Sequence, residues 1–186
     1  MDKDTVLCQQ PRTTAGRLQD LLSAHDTISI ADFVRGRFEE RYFNPVVAMR
    51  SDQKNGFLIM ALSCLTLEAL ESYRRGWPST ERHTKAAFRG FLEREAQFAV
   101  FAGSAMEFYK HVRCGVLHQG ETSGGWKIRR SGLLFDELLL VVNATAFHRT
   151  LHSCLVDYTN ELKASPYRSP IWKAARKKLA SVLNNC

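Results

Sequence analysis

The chain holds little of what would staple it covalently, carry it across a membrane or bind a structural metal. Its five cysteines, Cys8, Cys64, Cys114, Cys154 and Cys186, are odd in number, scattered, and nowhere form a C-x-x-C pair. A disulfide framework and a structural zinc site are therefore not expected. The most hydrophobic stretch, residues 57–70, is short for a bilayer span and carries Ser63, Thr66 and Glu68, so no membrane partner is expected. The amino terminus is polar, with charges of both signs and no apolar signal-peptide core. These absences together point to the reducing cytoplasm. Internal repeats, low-complexity tracts and a clear interdomain linker are also missing.

What is present is an ordinary globular composition with a cationic bias. A length of 186 residues suits one domain with a substantial core, and 45% hydrophobic with 24% charged residues fits that class. Twenty-six basic against 19 acidic residues leave a formal charge of +7, with an isoelectric point near 9.3. That balance permits polyanion partners, RNA first among them, without requiring one.

Helical periodicity dominates the pattern. After a mobile start, residues 15–24 read as a short helix. Residues 30–41 read as a second, with Ser29 as N-cap and Ile30, Phe33, Val34 and Phe38 on one face. Asn44-Pro45 then predicts a break. Residues 56–73 give the strongest helix, with Leu58, Leu62, Leu65 and Ala69 in register. Being apolar nearly all round, it is expected at the centre of a bundle. A further helix is predicted from Ser79 or Thr80 to about residue 98. Residues 103–115 follow, with Ala105, Phe108, Val112 and Val116 as the apolar stripe. Residues 120–125 read as a loop and 126–135 as a short hairpin or extended turn. Asp136 is the expected cap of a long helix over 137–164. An amphipathic helix over 171–183 closes the chain, with Lys173, Arg176 and Lys177 opposite Ile171, Ala175, Leu179 and Val182. The expected class is all-α, a bundle of four to five principal helices.

The most informative residues are Arg113-Cys-Gly-Val-Leu-His118 and the Gln119-Gly120-Glu121 that follows. Arginine presents a permanent, forked cation suited to phosphate. Histidine moves protons near neutral pH. The pair suffices in principle to cleave RNA without a metal, because RNA supplies its own nucleophile in the 2′-hydroxyl. Five residues along an ideal α-helix turn by about 140°, so the two would not share a face if the helix continued. Gly115 predicts that it ends there, letting His118 swing back toward Arg113. Lys110 and His111 make the same helix end cationic, and Lys127, Arg129 and Arg130 extend the patch after the loop. A plainer reading has Arg113 complementing the helix dipole and His118 capping carbonyls.

A helical bundle with R-x4-6-H at the end of a late helix resembles the HEPN superfamily, and the phrase FYKHVRCGVLHQGE matches that motif in context. The resemblance covers about residues 54–162. It sets residues 1–50 apart as a helical extension packed on the same domain, with a HEPN-like domain over 51–186. It implies a metal-independent endoribonuclease without cofactor, acting as a homodimer with two motifs in one cleft. Such proteins serve as toxins or antiviral defence effectors, partnered by an antitoxin or sensor. By this resemblance Arg113 holds the scissile phosphate and His118 transfers protons; Lys110, His111 and Lys127, from the cationic patch itself, are the further candidates for RNA contact. The products implied are 2′,3′-cyclic phosphate and 5′-hydroxyl ends. The chain departs from the family in two places. Cys114 follows the arginine, where Asn, Asp or His is common. Gly120 stands where members paired with a nucleotidyltransferase carry a tyrosine, so control through that tyrosine is not implied.

Other readings compete. A non-catalytic HEPN-like module binding protein, nucleotide or RNA is the main alternative. His148 and His152 have i, i+4 metal-ligand spacing but no H-E-x-x-H context, so packing is favoured over a metal site. Cys114 reads as a small packed side chain rather than a reactive thiolate. Glu68 and Glu71 interrupt an apolar helix, either to pair with a basic neighbour or to mark a solvated edge.

Overall fold

A computed structural model describes residues 2–50 and 53–186 of the protein. Helix makes up 65% of it, with two small sheets. The chain opens on an antiparallel hairpin, β1 (Val6–Gln9) and β2 (Arg12–Thr14), where the sequence suggested a mobile start. A register shift between Val6 and Cys8 lets adjacent Leu7 and Cys8 both turn inward. Gly36 allows the hairpin tip to settle, since a Cβ there would collide with the Gln10 carbonyl.

Helix α1 (Ala15–Ala24) starts at Thr14, whose side chain accepts from the Arg17 amide. Helix α2 (Thr27–Phe38) is capped by Asp26, which accepts from the Ser29 amide, so the cap lies three residues before the one expected. It runs on through a widened π-type turn, Glu39–Phe43, into the short α3 (Asn44–Val47). The break expected at Asn44-Pro45 is absent. In a widened turn the carbonyl that a proline ring would strike is displaced.

Helix α4 (Gly56–Arg75) corrects the expected facing. Leu58 and Leu65, read as core, are 57% and 47% exposed, whereas Ile59, Met60, Ser63, Cys64, Thr66, Leu67 and Leu70 are buried. Hydrophobicity cannot choose a face on a helix that is apolar all round. The small and hydroxyl side chains choose it instead, because their hydroxyls are satisfied within the helix: Ser63 bonds the Ile59 carbonyl and Thr66 the Leu62 carbonyl. By length and composition α4 reaches what crossing a membrane requires, yet 61% of its most apolar window is buried within the protein.

Helix α5 (Thr84–Arg94) stops at an extended Glu95 and gives way to a 3-10 turn, Ala96–Phe101. Next comes α6 (Ala105–Phe108), a second π-type turn over Tyr109–Arg113, and α7 (Cys114–Gln119). The region expected to hold a simple hairpin forms a three-stranded sheet ordered β3 (Lys127–Arg129), β5 (Val141–Asn143), β4 (Phe135–Asp136). Strand β3 is parallel to β5, and β4 is antiparallel to it. Helix α8 (Ala144–Ala164) therefore begins later than expected. Asn143 accepts from the Ala146 amide at its start, while Asp136 closes only a turn at Leu139. Positive φ at Leu140 and the buried, β-branched Val141 and Val142 take this segment out of the helix. The last helix, α9 (Pro170–Asn184), buries Trp172, Ala175, Leu179 and Leu183, a face shifted slightly from the expected stripe.

Contacts gather into two compact units that do not follow chain order. The first comprises the chain up to Pro45, Leu70–Ser79 and Leu155–Cys186; the second comprises Val46–Ala69 and Thr80–Cys154. In the first, Trp172 is buried and donates its indole N–H to the Leu162 carbonyl, and burial pushes the Tyr73 phenol up to about 12. In the second, Phe108 stacks on Phe147 at 5.2 Å and meets Phe101 and Trp126 edge-on at 5.4 and 6.0 Å. That aromatic cluster anchors the segment carrying Arg113. Phe108→Ala is expected to cost about 3–5 kcal/mol, read from the denaturant midpoint at unchanged slope. A loss below about 1 kcal/mol would contradict the packing.

Candidate functional site

The helical rod made of α6, the π-type turn and α7 carries Arg113 and His118. It does not end at Gly115, as the sequence suggested; it continues to Gln119, and Gly120 with φ +71° closes it. Gly115 is needed for another reason. The returning chain passes so close that a Cβ would strike the Glu121 carbonyl. The widened turn directly before it shifts the bonding to i→i+5, with the Cys114 amide donating to the Tyr109 carbonyl. Such turns recur at functional sites.

Arg113 is held on three sides. Its Nε and Nη2 both lie 2.9 Å from Glu68 Oε1 on α4. Its Nη1 lies 3.2 Å from His118 Nε2, and its guanidinium sits 5.7 Å from the Tyr109 ring centroid. The other Glu68 oxygen accepts from Thr80 Oγ1 at 3.3 Å. The ion pair is largely buried, with side chains 14% and 9% exposed for Arg113 and Glu68. Desolvation works against the Arg113 cation, but the Glu68 charge and hydrogen bond outweigh it, and Arg113 is held above its ordinary pKa. Burial, then the Glu68 charge, push the Cys64 thiol up.

Guanidinium has no acceptor, so in the Arg113–His118 contact Nε2 must be the acceptor and the ring proton lies on Nδ1. His118 is exposed, which leaves the pair open on the solvent side. The two groups therefore converge, through the long arginine side chain rather than through a helix break. Chemically, this is a fixed cation with a proton acceptor beside it. Of the three nitrogens of Arg113, Nη1 is the one turned from Glu68 toward His118.

The other expected RNA contacts separate. Lys110 and Lys127 are exposed. His111 is not free: its Nε2 lies 3.0 Å from Glu107 and its Nδ1 2.9 Å from Ser123 Oγ. Arg130 is structural, bonding Thr145 Oγ1 and the carbonyls of Arg50 and Gln53. Cys114 is half-buried, and an open cleft of about 230 Å³ beside it is lined by Lys85, Met106, Glu107, Tyr109 and Lys110. Burial and the Cys114 side chain push the Tyr109 phenol up.

His148 is buried, with Nδ1 3.0 Å from Ser63 Oγ, a packing role. Among the described residues no cluster of three or more His, Cys, Asp or Glu could hold a metal. Glu68 proves to pair with a basic neighbour, whereas Glu71 pairs with Arg75 of its own helix. Sequence reasoning missed Thr80, Tyr109, Glu107 and Ser123 as site neighbours. Glu107 and His111 at i, i+4 were a legible pair; Thr80 and Ser123 left no signal.

Comparison with family models, with curated proteins and with solved structures gave no match to the chain.

Proposed function

We propose that the protein is a metal-independent endoribonuclease of the HEPN type, acting in the cytoplasm as a toxin or defence effector. The observation that carries this reading is the 3.2 Å approach of Arg113 Nη1 to exposed His118 Nε2, with the arginine locked by a buried carboxylate. Arg113 would meet the scissile phosphate through Nη1 and stabilise its developing charge. As Arg113 Nη1 turns from His118 Nε2 to the phosphate, the freed Nε2 would take the 2′-hydroxyl proton while the 2′-oxygen attacks phosphorus, and the protonated ring would return it to the departing 5′-oxygen. The 2′-oxygen–phosphorus bond forms, the phosphorus–5′-oxygen bond breaks, and a cyclic phosphate remains.

Lys110 and Lys127, both exposed, would supply further phosphate contacts, and His111, next to Lys110 in the chain, would join them only by leaving Glu107 and Ser123. The cleft beside Cys114 would offer a flanking nucleotide the cations of Lys85 and Lys110 and the ring of Tyr109, set against the one carboxylate of Glu107. A homodimer is the assembly the resemblance implies, and exposed Leu58 and Leu65, seven residues apart and so on one side of α4, would be available to it. An antitoxin or sensor is the remaining expected partner, on the resemblance alone. A second reading, a non-catalytic binding module, is favoured by one fact: two of the three Arg113 nitrogens are already engaged by Glu68.

Purified protein incubated with single-stranded RNA in excess EDTA should release 2′,3′-cyclic phosphate and 5′-hydroxyl ends. Folded protein that binds RNA and leaves it intact would favour the binding module and end the ribonuclease reading.

A further inference from the structure

Glu107, His111 and Ser123 stand in line. The ring of His111 lies between the Glu107 carboxylate, 3.0 Å from Nε2, and the Ser123 hydroxyl, 2.9 Å from Nδ1. We propose that these three residues form a nucleophilic site in which Ser123 attacks carboxylic esters. The proposal stands apart from RNA cleavage, which needs neither Ser123 nor Glu107.

Several features favour chemistry over a simple latch. A charged carboxylate can only accept, so Nε2 carries a ring proton, and in the neutral ring Nδ1 is then left to accept from the serine hydroxyl. That is the tautomer a general base needs. The order on the ring, serine at Nδ1 and carboxylate at Nε2, is the reverse of the familiar triad, and either nitrogen of a neutral imidazole can be the proton acceptor. The ring is well held: the His111 side chain is 15% exposed, and a Cβ on Gly124 would overlap it. Gly124 takes φ +61° and Gly125 φ +81°, so this turn suits glycine twice over. The Ser123 amide also donates to the His111 carbonyl at 3.1 Å, which ties the nucleophile to its base through the backbone. Ser123 itself is exposed, so a substrate can reach it. The Gly124 amide follows the serine directly, where serine hydrolases built on a nucleophile elbow place one oxyanion donor.

In the first half-reaction Ser123 Oγ bonds to the carbonyl carbon and its proton passes to His111 Nδ1. That proton then leaves with the alcohol as the carbon–oxygen bond breaks. In the second, water repeats the attack through the same ring, releasing the acid and restoring the serine. Ester and water are consumed, and acid and alcohol are formed.

A fluorophosphonate probe tests the site on the full chain, since the serine oxygen displaces fluoride from phosphorus by the same activated attack. Peptide mapping is expected to find the adduct on Ser123 and none in Ser123→Ala. His111→Gln should slow labelling by at least about 100-fold. Glu107→Gln, at a carboxylate 60% exposed, should slow it by about tenfold or more, as for loss of the group that orients the base, and shift the pH profile of the labelling rate. Folded wild-type protein without a Ser123 adduct would overturn the proposal. So would labelling that proceeds at the wild-type rate in Glu107→Gln and in folded His111→Gln.

Discussion

Arg113→Ala is expected to lower single-turnover RNA cleavage by about 10²–10³-fold, the range for removing one preorganised donor from a developing oxyanion. Nη1 is the donor turned away from Glu68 toward His118, 3.2 Å from Nε2. Arg113→Lys should recover little. An ammonium is a compact point charge, and it cannot hold Glu68 through two nitrogens while presenting a third to a phosphate. His118→Ala separates chemistry from folding, because it leaves the Arg113–Glu68 pair intact and truncates an exposed side chain. It should cut cleavage by about 10²–10⁴-fold, as for loss of a general acid–base group, with little change in melting temperature. Equal rates for wild type, Arg113→Ala and His118→Ala would remove both residues from the reaction.

The second large effect concerns stability. Glu68→Gln keeps the shape of the side chain but strips the charge from a pair that is mostly shielded from water. Arg113 is then left as a poorly compensated cation, and breaking a buried pair from one side costs about 3 kcal/mol. For a chain of this size that corresponds to a fall of about 6–12 °C in melting temperature. High salt should change the loss little, because buried charges are weakly screened. Replacing both partners, Glu68→Leu with Arg113→Leu, should return most of the stability, since the desolvation of two ions disappears with their attraction. The double variant should remain inactive on RNA. If Glu68→Gln melts within about a degree of wild type, the pair is solvated and the site is looser than described.

Much of the secondary structure was legible because its signals are local. Helix α1 has its expected bounds, and α4 and α9 differ by at most two residues, as an apolar period bounded by Gly or Pro allows. The misreadings share a cause. Leu138 to Leu140 continue a helical hydrophobic pattern, but whether Val141 and Val142 join a strand depends on Lys127–Arg129 being there to pair with them. Asn44-Pro45 reads as a stop, and only the widened turn before it lets the helix proceed. Likewise Gly115 reads as a helix end, though its lack of a side chain serves a passing carbonyl.

The amino-acid order alone determined a mostly helical protein, a cationic surface, and the chemistry available between Arg113 and His118, since composition, period and side-chain type are properties of short windows. Only tertiary packing decided that Glu68, 45 residues upstream, locks the arginine, and that Ser123 reaches His111. The outward turn of Leu58 and Leu65 was settled there too. Those outcomes depend on which surfaces meet once the helices are formed, and close approach is governed by side-chain size and hydrogen-bond satisfaction rather than by hydrophobicity along the chain.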